Sequence, residues 1–312
     1  MRAIVVTPDA PARLAVGTAP EPVPDSNQTV VSVKTLSLNR GEIKRAQSMD
    51  AGTQVGWDLA GVVAQAAADG SGPAVGARVV GFSPAMRGWA ERAAVRSNAL
   101  AIVPDDISLE AASTLPVAAL TALYGLERCS HLVGAKVLVT GARGGVGYFA
   151  CQLARAMGAR VIAQVRREAH VEMIEALGVE QVVVDSQGDL LAAAGPYRLV
   201  FDGVGGPLFG RLVGCIEADG RVVTYGVSEG ERTDLGLRDF FSTGTGRIEG
   251  FHLYRESEFV SAGSGLARLM YLMQQNQLNT LISRREDWSA IGEVAQALID
   301  RNYPGKAVLT IG

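Results

Sequence analysis

The sequence is poor in the side chains that build covalent or metal frameworks. It has three cysteines and three histidines in 312 residues. Cys129, Cys151 and Cys215 are far apart and odd in number, so no disulfide framework or CxxC pair is available, which suits a reducing cytosol. Cys151 and Cys215 sit in apolar helical patterns and read as buried, inert thiols. His131, His170 and His252 lie in separate segments, as solvated or structural residues would. Lysine is scarce too: Lys34, Lys44, Lys136 and Lys306 are the four. With a formal net charge of -3, there is no concentrated basic field for nucleic acid or an anionic membrane surface. No run of eighteen apolar residues occurs, and the N-terminal MRAIVV turns polar at once. Neither a membrane span nor a signal peptide is expected, which points to the cytoplasm.

What is present is a globular composition, 48% hydrophobic and 20% charged, on a chain longer than one compact core usually holds. Two domains are expected. Residues 1–115 carry short Val-rich runs punctuated by Pro and Gly: Ile4–Thr7, Thr29–Leu36, Gly61–Ala66, Arg78–Phe82 and Ala93–Val95. This spacing suggests a small barrel-like β domain. From 116 to 249 strands and helices alternate: strand Lys136–Thr140, helix Val146–Met157, strand Arg160–Val165, helix Glu168–Leu177, strands Gln181–Asp185 and Leu199–Asp202, helix Pro207–Ile216 and strand Arg221–Tyr225. That alternation implies an α/β, doubly wound parallel sheet of Rossmann type. Over 250–312, amphipathic helices are expected at Glu256–Asn276 and Ser289–Asp300, and a last strand at Lys306–Ile311 suggests a return to the first domain. The glycine-rich stretch Ser228–Gly246 reads as a mobile lid or a surface connection.

The most informative segment is KVLVTGARGGVG, Lys136–Gly147. An apolar strand enters a glycine-rich turn, and the turn opens a helix whose free N–H groups and dipole favour a pyrophosphate. Gly144 lets the backbone approach the phosphates, with Gly145 and Val146 beside it, and Gly147 lets helix and strand pack closely. Ala142 stands where a GxGxxG register has its first glycine. NAD enzymes place an acid near the end of the next strand, but here that strand ends Ala163-Gln164-Val165 and is followed by Arg166 and Arg167. A guanidinium there can fork onto a 2′-phosphate, so NADPH is favoured over NADH through Arg166. Arg167 reads rather as a solvated charge at a helix start.

TGARGGVG, the FDGVGG turn Phe201–Gly206 and the GR strand Gly220–Gly226 together resemble the quinone oxidoreductase and enoyl reductase branch of the medium-chain dehydrogenase/reductase superfamily. So do Ser37–Glu42 (its LN-x-x-D segment), Gly56–Gly61 (G-x-D/E-x-x-G), Leu115-Pro116 with Thr121-Ala122 (LP…TA) and Gly305–Leu309 (GK-x-VL). The resemblance covers nearly the whole chain and implies a GroES-like β-barrel catalytic domain beside the Rossmann domain. It implies that Asn39 lies beside the nicotinamide ribose or substrate carbonyl, Thr121 near the carboxamide, Phe251 and Leu253 beside the nicotinamide, and Lys306 near the pyrophosphate. Gly203, Val204, Tyr225 and Gly226 belong to the cofactor side of the same resemblance. The positions of the superfamily's zinc ligands correspond to Asn39, Trp57 and Val117, none a plausible ligand, and the four-cysteine lobe is missing, so no metal is expected.

Without a Lewis acid, conjugate reduction is the natural chemistry: hydride goes to an enone, enoyl thioester or quinone, and the enolate oxygen needs donors. Asn39 and Tyr124 are the catalytic candidates, with Lys44 and water as other proton sources, because the Tyr often found after the Asn39 segment is absent from Lys44–Val55. The branch's Lys after the second strand and its Tyr near the third are absent as well, Asp185 standing where that Tyr would fall. Glu42 is a second candidate base, or a structural acid. Trp57, Trp89 and Phe240, with Phe251, are candidates for an apolar pocket or for ordinary core. A small-molecule substrate and a homodimer are the expected partners. Two other readings stay open: a redox-neutral lyase or cyclase on this fold, and a non-catalytic NADPH-binding protein.

Overall fold

A computed structural model describes residues 1–312 as two compact units, Met1–Leu120 with Ser257–Gly312 and Thr121–Glu256. The first unit opens with the antiparallel hairpin β1 (Arg2–Val6) and β2 (Leu14–Thr18). There follow β3 (Gln28–Ser37), β4 (Asp58–Gln65), β5 (Arg78–Phe82), β6 (Arg92–Arg96) and β7 (Leu100–Ile102). The second unit contributes β8 (Lys136–Val139), β9 (Arg160–Val165), β10 (Gln181–Val184), β11 (Tyr197–Asp202), β12 (Ile216–Thr224) and β13 (Arg247–Gly250). The chain then returns to the first unit with β14 (Ile282–Asp287) and β15 (Lys306–Thr310). The helices that matter for the site are α1 (Arg40–Ala46), α2 (Leu109–Ser113), α3 (Pro116–Leu126) and α4 (Gly145–Ala156). Pro116 opens α3, where its missing N–H costs nothing. The boundary between the units, Leu120 to Thr121, falls inside this helix.

The first unit's main sheet runs β14-β15-β3-β4-β5-β7, with β6 also on β3. β3 pairs with β6 through Gln28–Ser32 and with β15 through Thr35–Ser37. Its register against β4 shifts twice, which lets one long strand bend and serve different neighbours at its two ends. The consequence is local and exact in register: Ser37 lies opposite Asp58 on one side and Val308 on the other. The start of β4, the start of β15 and the loop after β3 therefore meet.

The second unit's sheet is wholly parallel, in the order β10-β9-β8-β11-β12-β13. Strand order reverses between β8 and β11, the switch point outside whose carboxyl ends such sheets take ligands. Leu138, Ile162, Val200 and Val222 form the buried face against Leu208 and Leu212. Cys151 lies fully buried in α4, and burial pushes its thiol up to about 12. Burial likewise raises Cys129 and Cys215.

Two expectations are corrected, and one strand was not expected from the sequence. The single helix expected over Glu256–Asn276 is two, Leu253–Glu256 and Ala262–Gln274; Ser261 caps the second by accepting from the Ser264 N–H at 3.1 Å. β14 reads Ile-Ser-Arg-Arg-Glu-Asp, a polar edge strand with no apolar alternation to reveal it. The stretch Ser228–Gly246 holds a helix, Leu237–Ser242, just before β13. No helix is long and apolar enough to cross a membrane.

Candidate functional site

In the second unit β8 leads through Thr140 into the glycine turn. Gly141 adopts φ +64°, a left-handed conformation that only glycine takes without strain. A Cβ on Gly147 would lie 2.4 Å from the Gly141 carbonyl oxygen, so α4 packs against the turn only because that side chain is absent. At Gly144 a Cβ would meet the Gly141 oxygen alone, at 3.3 Å, and the residue is exposed. The turn thus offers open backbone beside the first turn of α4, where Gly145 and Val146 present N–H groups.

Two buried side chains, neither singled out from sequence, hold this turn. Gln164, in β9, accepts the Gly141 N–H at 2.8 Å and donates to the Asp185 carbonyl. The backbone carbonyl of Gln164 accepts the Ala142 N–H at 3.0 Å. Asp202, at the end of β11, accepts the Thr140 hydroxyl at 2.6 Å and the N–H groups of Val204 and Gly205 at 3.2 and 2.9 Å. The Thr140 hydroxyl in turn accepts the Gly203 N–H at 3.1 Å. The turns after β8 and β11 are locked together through one carboxylate, which burial pushes above its ordinary range against these donors. The available signals were a polar residue inside an apolar strand run for Gln164 and a carboxylate closing one for Asp202.

Beyond β9 the chain gathers cations. Arg166 Nη1 donates to Glu229 Oε1 at 2.6 Å, and both side chains are nearly two-fifths exposed. Arg143, from the glycine turn, lies 2.8 Å from His170 Nε2. Burial, then the charges of Arg143, Arg167 and Arg166, hold the His170 imidazole below its ordinary value. Asp185 does not face this group. It accepts from the N–H groups of Gln187, Gly188, Leu190 and Leu191. Burial pushes its carboxyl up, but those four donors together hold it lower than usual.

Of the other expected residues in this unit, Gly203 lies under the Tyr225 ring, which stacks on Phe201 at 4.5 Å. Gly226 follows it, and Val204 is buried. Phe251 is buried, continues β13 by donating its N–H to the Thr224 carbonyl, and carries Arg128 over its ring. Leu253 and Thr121 are buried. Tyr124 is 3% exposed, so its phenol stands on no open surface.

The first unit holds a buried ionic cluster. Lys306 Nζ donates to the Leu38 carbonyl at 2.8 Å, to Asn39 Oδ1 at 2.6 Å and to Asp58 Oδ2 at 3.2 Å. Asn39 Nδ2 donates to Asp58 Oδ2 at 2.8 Å and to Glu42 Oε1 at 3.2 Å. Glu42 also accepts the N–H groups of Asn39 at 2.6 Å and Trp57 at 2.9 Å, and Asp58 that of Val117 at 3.0 Å. Glu42 and Asp58 are fully buried and Lys306 is 3% exposed. Burial raises both carboxyls; Asp58 raises Glu42 further, and the Lys306 charge opposes both shifts.

This placement corrects two expectations. An ammonium has three donors, and all three of Lys306 are taken inside the protein, so none is left for a pyrophosphate. Both amide hydrogens of Asn39 go to carboxylates, so it cannot donate to a substrate carbonyl in this arrangement; it joins the two carboxylates to the lysine. Glu42 is likewise a buried structural acid rather than an open base. The aromatic candidates for an apolar pocket or ordinary core lie in the interior. Trp89 is 1% exposed and packs on Gly56, where a Cβ would sit 2.0 Å from its ring. Phe240 packs on the second unit's sheet core, and Trp57 is buried over Gly41.

Comparison with known proteins agrees with this architecture. Residues 145–267 match the family described as zinc-binding dehydrogenase. The quinone oxidoreductase structure from Coxiella burnetii superposes with a TM-score of 0.85 at 25% identity, covering 100% of this chain and 99% of that one. Quinone oxidoreductase-like protein 2 of Bos taurus is 27% identical over 82% of this chain and 76% of its own length. The spectinabilin polyketide synthase system protein NorB of Streptomyces orinoci is 31% identical over 97% of this chain, which spans only 14% of that protein's length. A Rossmann sheet joined to a second, mixed-sheet unit is the architecture of dinucleotide-dependent dehydrogenases. The chain belongs to the medium-chain dehydrogenase/reductase superfamily of oxidoreductases, in its quinone oxidoreductase and enoyl reductase branch.

Proposed function

We propose that this protein is an NADPH-dependent reductase of an activated carbon–carbon double bond (an enone or enoyl thioester) or of a quinone, working without zinc. The observation that carries the reading is the second unit's cofactor end: an open glycine turn at the start of α4 beside Arg143, Arg166, Arg167 and His170. Gly144, Gly145 and Val146 would hold the pyrophosphate, and Gly203, Val204, Tyr225 and Gly226 would line the turn beside it. Arg166 would hold the 2′-phosphate. NADPH supplies a hydride when bound. The buried Phe251 and Leu253 suit the nicotinamide ring, whose flat apolar face needs no charged partner.

Zinc does not fit the first unit's residues. The three positions that correspond to zinc ligands are tied into the ionic cluster instead: Asn39 by its side chain, Trp57 and Val117 by their N–H groups. No group of three or more His, Cys, Asp or Glu side chains is arranged to hold a metal. Negative charge developing on a substrate oxygen therefore has to be met by hydrogen bonds, which suits conjugate reduction better than ketone reduction. With Asn39 committed and Tyr124 buried, the proton that completes the reduction is best drawn from water. The free thiols suit the cytoplasm, and β13 is an unpaired sheet edge that a homodimer would cover.

The test is a titration of the purified protein with NADPH and NADH, followed by absorbance at the nicotinamide band with quinone and enone panels. Tight NADPH binding, weakened about tenfold or more by Arg166→Ala as expected for a charge-assisted phosphate contact, and oxidation by either panel support the proposal. Absence of binding refutes it; binding without oxidation by any acceptor refutes the reductase.

A further inference from the structure

We infer that Glu229 supplies, from a distant part of the chain, the acid missing from the end of β9, and that its pairing with Arg166 sets how strongly NADPH is preferred over NADH. The inference rests on the nicotinamide-cofactor reading above. In NAD enzymes an acid at the end of the second strand accepts from the ribose hydroxyls, and in NADP enzymes an Arg nearby takes the 2′-phosphate. Here the strand ends in Gln164 and Val165, yet a carboxylate lies 2.6 Å from the Arg166 guanidinium.

The carboxylate is held there by backbone. The Glu229 N–H donates to the Val204 carbonyl at 2.8 Å, the Ser228 N–H to the Gly203 carbonyl at 3.3 Å, and Gly230 bridges Gly205. The segment after β12 is thus strapped to the turn after β11, and its side chain reaches the end of β9. Glu229 occupies a place on Arg166 that a phosphate oxygen needs. A 2′-phosphate must displace it and then sits beside a like charge. A ribose hydroxyl needs no displacement, because it can donate to the carboxylate while the ion pair stays. One pair of side chains therefore serves the two cofactors in opposite senses. Both are well exposed, and a surface ion pair of this kind is weak, so the exchange is accessible. Arg143 and Arg167, whose charges act on His170 together with that of Arg166, add the positive field that keeps the balance on the NADPH side.

The experiment measures dissociation constants for NADPH and NADH, by nicotinamide fluorescence at fixed ionic strength, on the wild type, Glu229→Gln and Arg166→Gln. The wild type is expected to favour NADPH by less than about tenfold, Glu229→Gln to tighten NADPH roughly three- to tenfold without tightening NADH, and Arg166→Gln to loosen NADPH by about tenfold while NADH stays within about twofold. A Glu229→Gln protein whose NADPH-to-NADH ratio stays within about twofold of wild type, or that binds NADPH more weakly, overturns the inference alone. A wild type that binds neither cofactor overturns the underlying reading with it.

Discussion

Replacing Lys306 with Met tests whether the buried cluster is an ionic unit. The methylene stem is kept and the ammonium is removed. Three donors disappear, from the Leu38 carbonyl, Asn39 Oδ1 and Asp58 Oδ2. Two fully buried carboxylates, Glu42 and Asp58, lose their one cationic partner in the cluster. Breaking a buried pair in this way costs about 3–5 kcal/mol. For a unit of this size that is roughly 6–20 °C in its melting transition. The pH dependence carries the sharper sign. Burial raises both carboxyls, and Lys306 restrains the rise. Above about pH 4 the folded state therefore holds protons that the unfolded state releases, and stability falls as pH rises until the raised values are passed. Removing Lys306 raises those values further and widens that window, so the deficit of the variant should be small near pH 5 and grow toward pH 8. Thermal denaturation at both pH values, read by circular dichroism, measures it. A deficit under about 1 kcal/mol, the level of an exposed pair, or one equal at the two pH values, would refute the reasoning. Asp58→Asn in the Lys306→Met background should recover part of the loss at pH 8.

Gly147→Ala places a Cβ against the Gly141 carbonyl and should cost about 1–3 kcal/mol while weakening NADPH and NADH alike, since the clash deforms the shared pyrophosphate turn. Parallel calorimetric titrations would show it. Gln164→Leu keeps the volume but leaves the Gly141 N–H and the Asp185 carbonyl without their partner; a loss of about 1–3 kcal/mol and faster amide exchange at Gly141 are expected. Asp202→Asn replaces one of the two acceptor oxygens by a donor, so either the Thr140 hydroxyl and Val204 N–H or the Gly205 N–H loses its acceptor, and it should lower the melting midpoint and loosen the turn after β11, read as weaker binding of both cofactors. An Asp202→Asn protein that melts and binds like wild type would show that the lock between the two turns is dispensable.

The glycine turn after β8 was legible because its information is local. A strand, a run of glycines and the start of a helix lie within twelve residues, and Gly141 and Gly147 each have a steric reason that backbone geometry alone imposes. The ionic cluster was not legible in the same sense. Its members stand in three recognisable segments, but Asp58 and Lys306 are 248 residues apart, and their contact depends on β3 pairing with both β4 and β15. Lys306 was expected near the pyrophosphate from the family resemblance, which does not show which side chains of this chain surround it. Arg166 was found from the end of β9, whereas Glu229, 63 residues on, follows from how the loop after β12 is tied down. Edge strands β13 and β14 escaped because a strand with one paired side and polar residues on both faces carries no alternation.

Under the proposed function the protein would meet enones and quinones with three free cysteines in its chain. Such compounds are soft electrophiles, and they alkylate thiolates far faster than thiols. Cys151 is held to about 12 in the middle of α4, and Cys129 and Cys215 are raised as well, each for want of solvent around a would-be anion. At neutral pH the chain therefore presents almost no thiolate. Under the proposed function this would spare the chain from becoming an adduct of its own acceptors, a self-protection that comes with burying the sulfurs of Cys129 and Cys151 and half-burying that of Cys215.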